Sequence, residues 1–79
     1  MNQYQVVKVV AIRDNRFASR PIPFQRYPAI GDSGVILEVY TDPEPAFEVE
    51  CSDPNTGVTI WLEAMYPEEL VELGKNNTE

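Results

Sequence analysis

The sequence predicts an all-β fold class: a small open barrel of about five antiparallel strands, with one short 3-10 or helical turn near the C-terminus. Two observations predict it, namely several strand-length runs of β-branched and aromatic residues and the Pro- and Gly-containing turns between them. The 79 residues allow one hydrophobic core and not two, because a chain this short buries only about 60 to 65% of its unfolded surface. We therefore expect a single domain over residues 1–79.

The first two predicted strands lie on either side of a long loop. Residues 4–12 are rich in valine on both alternation sets, so we expect this strand to be partly buried on both sides. Residues 31–34, Gly-Asp-Ser-Gly, form a turn because glycine adopts positive φ without a steric penalty. In the strand that follows, over residues 35–40, the set expected to face the core is Val35, Leu37 and Val39.

The third and fourth predicted strands cover residues 46–51 and 58–64, after turns that contain proline or glycine. Each alternates between an apolar set and a more polar one, as in a sheet with one solvated face. The fourth strand is expected to place Trp61 on the outer face. The predicted inward sets are Phe47, Val49 and Cys51 in the third strand and Val58, Ile60, Leu62 and Ala64 in the fourth.

The C-terminal part predicts one turn of helix and a final strand. Pro67 suits a first helical position, and Glu68 and Glu69 suit the first turn, where the helix dipole favours negative charge. Residues 71–73 are expected to close the barrel as a short strand. Residues 74–79 are expected to fray.

Residues 13–30 predict a long loop, because prolines remove backbone donors there and no alternation persists. The loop holds four of the six basic residues, interleaved with aromatic ones, a pattern that can stack on and neutralise single-stranded nucleic acid. The alternative is that its arginines fold back onto the acidic sheet while Phe17, Ile22, Phe24 and Tyr27 cover an open barrel end. The candidate loop contacts are Arg13, Arg16, Arg20, Arg26, Phe24 and Tyr27.

Charge is distributed unevenly along the chain. The net charge is −7, but residues 1–30 carry +4 and residues 31–79 carry −11. An acidic field over most of the domain repels nucleic acid and attracts basic partners.

The sequence lacks the residues that several classes of function require. The sequence has no histidine and a single cysteine, Cys51, so we expect no enzyme, no metal site, no cofactor and no internal disulfide. Cys51 is expected to pack in the core rather than to react. The acids of the turns, Asp42, Glu44 and Asp53, match no calcium loop. Without a signal-peptide pattern or a membrane-spanning apolar run, we expect a cytoplasmic protein.

The outer sheet face is the candidate partner site. Exposed tyrosine and tryptophan among carboxylates can receive arginine, which pairs with the acids and stacks on the rings. Tyr40 and Trp61 would be the anchors, and the alternative is a solvated face with Trp61 tucked under a loop. The residues expected on this face are Glu38, Tyr40, Glu48, Glu50, Thr59, Trp61 and Glu63.

Four segments together resemble a bacterial family, domain of unknown function 4926. They are residues 6–11, the Gly-x-x-Gly turn and strand ending in Glu-Val-Tyr over 31–40, residues 46–51, and the Pro-Glu-Glu-Leu run over 67–70. The resemblance implies an SH3-like barrel and a small acidic partner of proteins encoded by neighbouring genes, antitoxin-like or immunity-like. Residues 13–30 depart from the family pattern, in which this loop is shorter and more acidic.

The turn and strand from Gly31 to Ile36 are also similar to the KOW type of SH3-like motif in ribosomal and transcription proteins. This likeness implies a nucleic-acid-associated module, although the acidic body argues against RNA binding. The sequence thus predicts a non-enzymatic acidic module, an antitoxin, immunity protein or accessory subunit, that binds a basic protein partner. The alternative is a nucleic-acid-associated module that uses the arginine-rich loop.

Overall fold

A computed structural model of the chain describes residues 1–13, 17 and 25–73. Five antiparallel strands form one sheet in the order β4-β3-β2-β1-β5, which confirms the predicted all-β class and fits a small open barrel. A 3-10 turn stands between the last two strands, as the sequence predicts. The elements are β1 (Val6–Val9), β2 (Ser33–Tyr40), β3 (Ala46–Ser52), β4 (Thr59–Met65), the 3-10 turn (Pro67–Glu69) and β5 (Leu70–Glu72).

Two turns connect β2, β3 and β4 into a meander. In the second, the Asp53 carboxylate accepts a hydrogen bond from the Asn55 N–H at 2.7 Å, and Gly57 adopts a φ of +77°. Such short-range bonds substitute for the ladder partners that turn residues lack. The first strand then pairs with β2 on one side and with β5 on the other, which places the first and last strands of the chain side by side.

The hydrophobic core lies on the inner face of the bent sheet. Every strand contributes to it, and Phe17 joins it from the long loop. The inward direction of Phe47, Val49 and Cys51 on β3 is confirmed. The core residues are Val7, Val9, Phe17, Ile36, Phe47, Val49, Cys51, Trp61, Met65 and Leu70.

The predicted facing is wrong in the first half of β2, where Ile36 is fully buried and Val35, paired with the outward Glu50, is only half-buried. In the second half it is confirmed, because Val39 pairs with the inward Phe47, although it stays 45% exposed, and Tyr40 lies on the outer side. A β-bulge between Ile36 and Glu38 changes the alternation along the strand, and period-two reasoning cannot anticipate an inserted residue. Beside it, Gly34 is required by packing, because a Cβ there would lie 2.5 Å from the Glu50 carbonyl oxygen.

The predicted facing of β4 is also wrong. Trp61 is 1% exposed and belongs to the core, while Val58 is 53% exposed and Ala64 is exposed. The pairing of Trp61 with Cys51 directs the indole ring inward. Ile60 and Leu62 fall in one alternation set, and the largest apolar side chain, Trp61, falls in the other beside Thr59 and Glu63. Burial of Trp61 therefore favours the register opposite to the one that the polarity of Thr59 and Glu63 favours.

The first strand, with 4 residues, is shorter than predicted, and the last strand has the predicted length of 3 residues. Only Val7 and Val9 of β1 are buried, and Val6 and Val10 are 43% and 41% exposed, so the expected burial on both sides is wrong. The C-terminal 3-10 turn and the short final strand are confirmed, but this strand pairs with β1 and forms one edge of the described sheet, opposite the edge formed by β4. The predicted fraying over residues 74–79 lies outside the described residues, as does most of the predicted loop over residues 13–30.

Candidate functional site

Carboxylates and a tyrosine gather on the outer side of β2 and β3. Glu38 pairs directly with Glu48 across the two strands, and Tyr40 pairs with Ala46. Directly paired residues of an antiparallel sheet project from the same side, and Glu50 lies two positions from Glu48 on the same side of β3. We name Glu38, Tyr40, Glu48 and Glu50 the acidic face.

The β-bulge in β2 is what places Glu38 on this surface. Ile36 faces inward and pairs with Val49; without the bulge Leu37 would oppose Glu48, and Glu38 would point inward opposite Phe47. The inserted residue instead puts Glu38 opposite Glu48. Bulges often redirect a side chain beside a functional site, and here the redirected side chain completes a pair of like charges.

Hydrogen bonds within the acidic face come from hydroxyl groups. The Tyr40 hydroxyl donates to Glu48 Oε1 at 3.1 Å, and this bond, followed by desolvation and the charges of Glu48 and Glu38, raises the pKa of Tyr40. The Thr59 hydroxyl donates to a Glu50 carboxylate oxygen. Among the described residues, no basic side chain forms an ion pair with Glu38, Glu48 or Glu50.

Two residues predicted for this surface lie elsewhere. Trp61 is buried in the core, so its assignment as an exposed anchor is wrong. Glu63 pairs with Val49, an inward residue, and therefore lies on the inner side of β4 rather than beside Glu48. Thr59 is half-buried and reaches the acidic face through its bond to Glu50.

The buried indole of Trp61 is instead part of a polar cluster at one end of the barrel. Trp61 Nε1 donates to an Asp32 carboxylate oxygen at 2.8 Å, and the Ala29 N–H donates to the same oxygen at 2.9 Å. The Arg26 guanidinium donates to both Asp32 oxygens, at 2.7 and 3.0 Å. Partial burial opposes ionisation of Asp32, but the bonds from Arg26, Ala29 and Trp61 outweigh it and lower its pKa.

Arg13 connects the start of the long loop to two other segments. Its Nε donates to Glu68 at 2.6 Å, its Nη1 donates to Glu44 at 3.2 Å, and its guanidinium lies 3.5 Å from the centre of the Tyr66 ring. The bond to Glu68 is the largest cause of the raised pKa of Arg13. Arg13 thus folds back onto acidic residues, as the alternative interpretation of the loop expects, but these residues lie in two turns and not on the sheet that the alternative named.

The described aromatic residues of the loop also pack on the barrel. Phe17 is 6% exposed, and its ring stacks on that of Tyr27 with centroids 5.7 Å apart. The four candidate residues of the loop that the structure describes, Arg13, Phe17, Arg26 and Tyr27, thus all contact the barrel or one another. The other candidates, Arg16, Arg20, Ile22 and Phe24, lie outside the described residues.

Sequence reasoning placed Glu69 at the start of a helical turn but missed its burial. Glu69 is fully buried, and its carboxylate accepts the N–H groups of Tyr66, at 2.8 Å, and of Arg13. A Glu at the third position of a turn that bonds back to the residue before it is half of a capping box. The Pro-Glu-Glu run indicates the capping bond from Tyr66. No sequence pattern indicates the bond from the Arg13 N–H, because Arg13 lies 56 positions away.

The part of the chain that the structure describes offers few groups for metal binding, membrane insertion or nucleophilic catalysis. It contains no cluster of three or more potential metal ligands and no helix long and apolar enough to cross a membrane. Cys51 is 6% exposed, and its burial, followed by the charge of Asp32, raises the pKa of the thiol. A buried neutral thiol is a poor nucleophile.

Comparison with known proteins adds no relative to this picture. The chain matches no family model, no curated protein and no solved structure. The resemblance to domain of unknown function 4926 therefore stays a prediction from the sequence.

Proposed function

We propose that this chain is a non-enzymatic binding module whose acidic face receives a basic segment of a protein partner. The observation that carries the proposal is the direct pairing of Glu38 with Glu48 on the outer side of the sheet. Like charges directly opposite each other destabilise a sheet by up to about 1 kcal/mol. The Tyr40 hydroxyl does not relieve this repulsion, because it is neutral and bonds to only one of the two carboxylates.

A positively charged partner would remove that cost on binding. A guanidinium between Glu38 and Glu48 would pair with both carboxylates and stack on the neighbouring Tyr40 ring, which is 40% exposed. Surfaces that lower the stability of the free protein are typical of functional sites, where activity opposes stability. The net charge of −7 would further accelerate association with a basic protein.

The loop arginines support this assignment over nucleic-acid binding. Both described members, Arg13 and Arg26, form ion pairs with the barrel, so binding phosphate groups would require those pairs to break. The chain would then act as an antitoxin, an immunity protein or an accessory subunit in the bacterial cytoplasm. The resemblance stated above supports that role, since members of the family resemble acidic partners of neighbouring-gene products.

The test is capture of the neighbouring-gene product by co-expression and co-purification. The double variant Glu48→Gln/Glu50→Gln should capture at least about tenfold less partner, because two of the three carboxylates of the surface lose their charge. The matched control is Asp42→Asn/Asp53→Asn, which removes the same charge from two turns outside the acidic face. If both double variants lose capture equally, net charge alone explains the effect and the assignment to the acidic face is overturned. Unchanged capture by Glu48→Gln/Glu50→Gln would also overturn the proposal.

A stability measurement gives an independent readout. In the free protein, Glu48→Gln should raise the free energy of unfolding by a few tenths to about 1 kcal/mol, because it removes the repulsion with Glu38. The amide oxygen of glutamine still accepts the Tyr40 hydroxyl, so that bond is retained. A variant that is less stable than the original chain would show that the pair of carboxylates carries no cost.

A further inference from the structure

An aliphatic row crosses the outer side of the sheet next to the acidic face. Val6 pairs with Val35, Val35 pairs with Glu50, and Glu50 pairs with Leu62, so these four side chains project together from β1 to β4. Val6 is 43% exposed, and Val35 and Leu62 are half-buried. We name Val6, Val35 and Leu62 the aliphatic row.

The second row of this surface is acidic. Glu38, Glu48 and Ala64 pair across β2, β3 and β4. Along β3 this row lies two residues from the aliphatic one, which corresponds to about 7 Å. Glu50 links the two, because it stands between Val35 and Leu62 and adds its charge to those of Glu38 and Glu48.

We propose that the two rows form one docking surface, and that its occupant is an extended basic segment in which an aliphatic residue and an arginine stand two positions apart. This inference rests on the proposed function and specifies its partner. Residues i and i+2 of an extended segment project from the same side about 7 Å apart. One side chain therefore covers the aliphatic row while the next contacts the acidic row.

Charge complementarity selects this occupant. A second copy of the chain would bring Glu38, Glu48 and Glu50 against the same three carboxylates, and both copies carry a net charge of −7. A purely polar basic segment would leave Val6 and Val35 in contact with water, and burying such apolar area is the main favourable term in most protein association. An aliphatic and basic segment satisfies both rows.

The test compares two synthetic peptides of equal length and charge, one with the repeat Leu-Ser-Arg-Ser and one with the repeat Ala-Ser-Arg-Ser. The dissociation constant of each peptide is measured at low salt by isothermal titration calorimetry. The leucine peptide should bind the original chain at least about fivefold more tightly, since each leucine covers more apolar area than alanine. The double variant Val6→Ser/Val35→Thr should lose this preference. Val58→Ser, which changes an exposed valine outside the row, should retain it.

The outcomes separate this inference from the proposed function. Equal affinity of the two peptides for the original chain would overturn the aliphatic and basic partner but leave an acidic site for basic segments. A preference that survives in Val6→Ser/Val35→Thr would overturn the assignment of the row. If neither peptide binds, both proposals fail. Val6→Ser alone provides the same comparison if the double variant does not fold, as judged by the emission of buried Trp61.

Discussion

The indole N–H of Trp61 donates a hydrogen bond to an Asp32 carboxylate oxygen 2.8 Å away, and this pair joins β4 to the turn that precedes β2. We expect Asp32→Ala to lower the free energy of unfolding by about 2 to 3 kcal/mol, because the buried indole N–H and the Arg26 guanidinium both lose their hydrogen-bond acceptor. Asp32→Asn should cost less, since the amide keeps one acceptor. Denaturant unfolding followed by the fluorescence of the single tryptophan measures both. If Asp32→Ala unfolds with the same free energy as the original chain, this hydrogen bond does not stabilise the fold.

The same carboxylate predicts a dependence of stability on acid. The pKa of Asp32 in the folded chain lies below its ordinary value of 3.8, so its contribution is present above that pH and is lost as the pH falls through the lowered value. Other carboxylates titrate in this range too, so the comparison is between the original chain and Asp32→Asn. The difference in unfolding free energy between them should shrink as the pH falls below 3.8. A difference independent of pH would contradict the assignment.

Gly34 should tolerate no side chain. A Cβ there would lie 2.5 Å from the Glu50 carbonyl oxygen and 2.8 Å from Val49 Cγ1, and the backbone atom cannot move without shifting β3. We expect Gly34→Ala to destabilise the chain by about 1 to 3 kcal/mol, as measured by thermal unfolding. Gly57→Asn is the control, since Gly57 has open space and asparagine accepts a positive φ. Equal effects of the two changes would argue against a steric cause.

The contacts of Arg13 should stabilise the chain only modestly. The side chains of Arg13, Glu44 and Glu68 are 36%, 49% and 53% exposed, and solvent screens ion pairs at such positions. We expect Arg13→Gln to lower the unfolding free energy only slightly, even though the contact with the Tyr66 ring is lost as well. The loss should diminish at high salt. Lys8→Gln, at a residue that forms no ion pair among the described positions, should show no comparable loss.

Tyr40 reports on the charge of Glu48. The hydrogen bond to that carboxylate raises the pKa of Tyr40 above its ordinary value of 10.0, so the contribution of the bond to stability is present below pH 10.0 and is lost as the pH rises through the raised value. Glu48→Gln should lower the pKa of Tyr40 in an ultraviolet absorbance titration. Tyr40→Phe identifies its share of the tyrosine signal. An unchanged titration in Glu48→Gln would mean that the two side chains do not interact.

The strand content of this fold could be predicted from the sequence because β-branched runs and Pro- or Gly-containing turns act locally. On β3, glutamates alternate with Phe47, Val49 and Cys51, so polarity alone decides the facing. On β4, Ile60 and Leu62 alternate with Trp61, so large apolar side chains fall in both sets although Thr59 and Glu63 make one of them more polar. The facing there depends on the pairing of Trp61 with Cys51, which is a property of the assembled sheet.

The candidate site was predictable only in part for the same reason. Glu38, Tyr40, Glu48 and Glu50 do share the outer side, but Glu38 reaches it through a bulge that no local pattern in β2 indicates. The polar partners of Trp61 and Glu69 come from segments far away in sequence. A hydrogen bond between such distant segments is set by the packing of the whole barrel.

The pairing of β1 with β5 has a consequence for the order of folding. Val9 and Leu70, about 60 positions apart, are partners in that ladder, whereas β2, β3 and β4 are joined by short turns. Closing so long a stretch of chain is entropically slow, and pairings between distant segments fold later than local ones. On the ribosome, the meander that carries the acidic face can therefore form while the chain is still emerging, and β5 pairs with β1 only after it has been released.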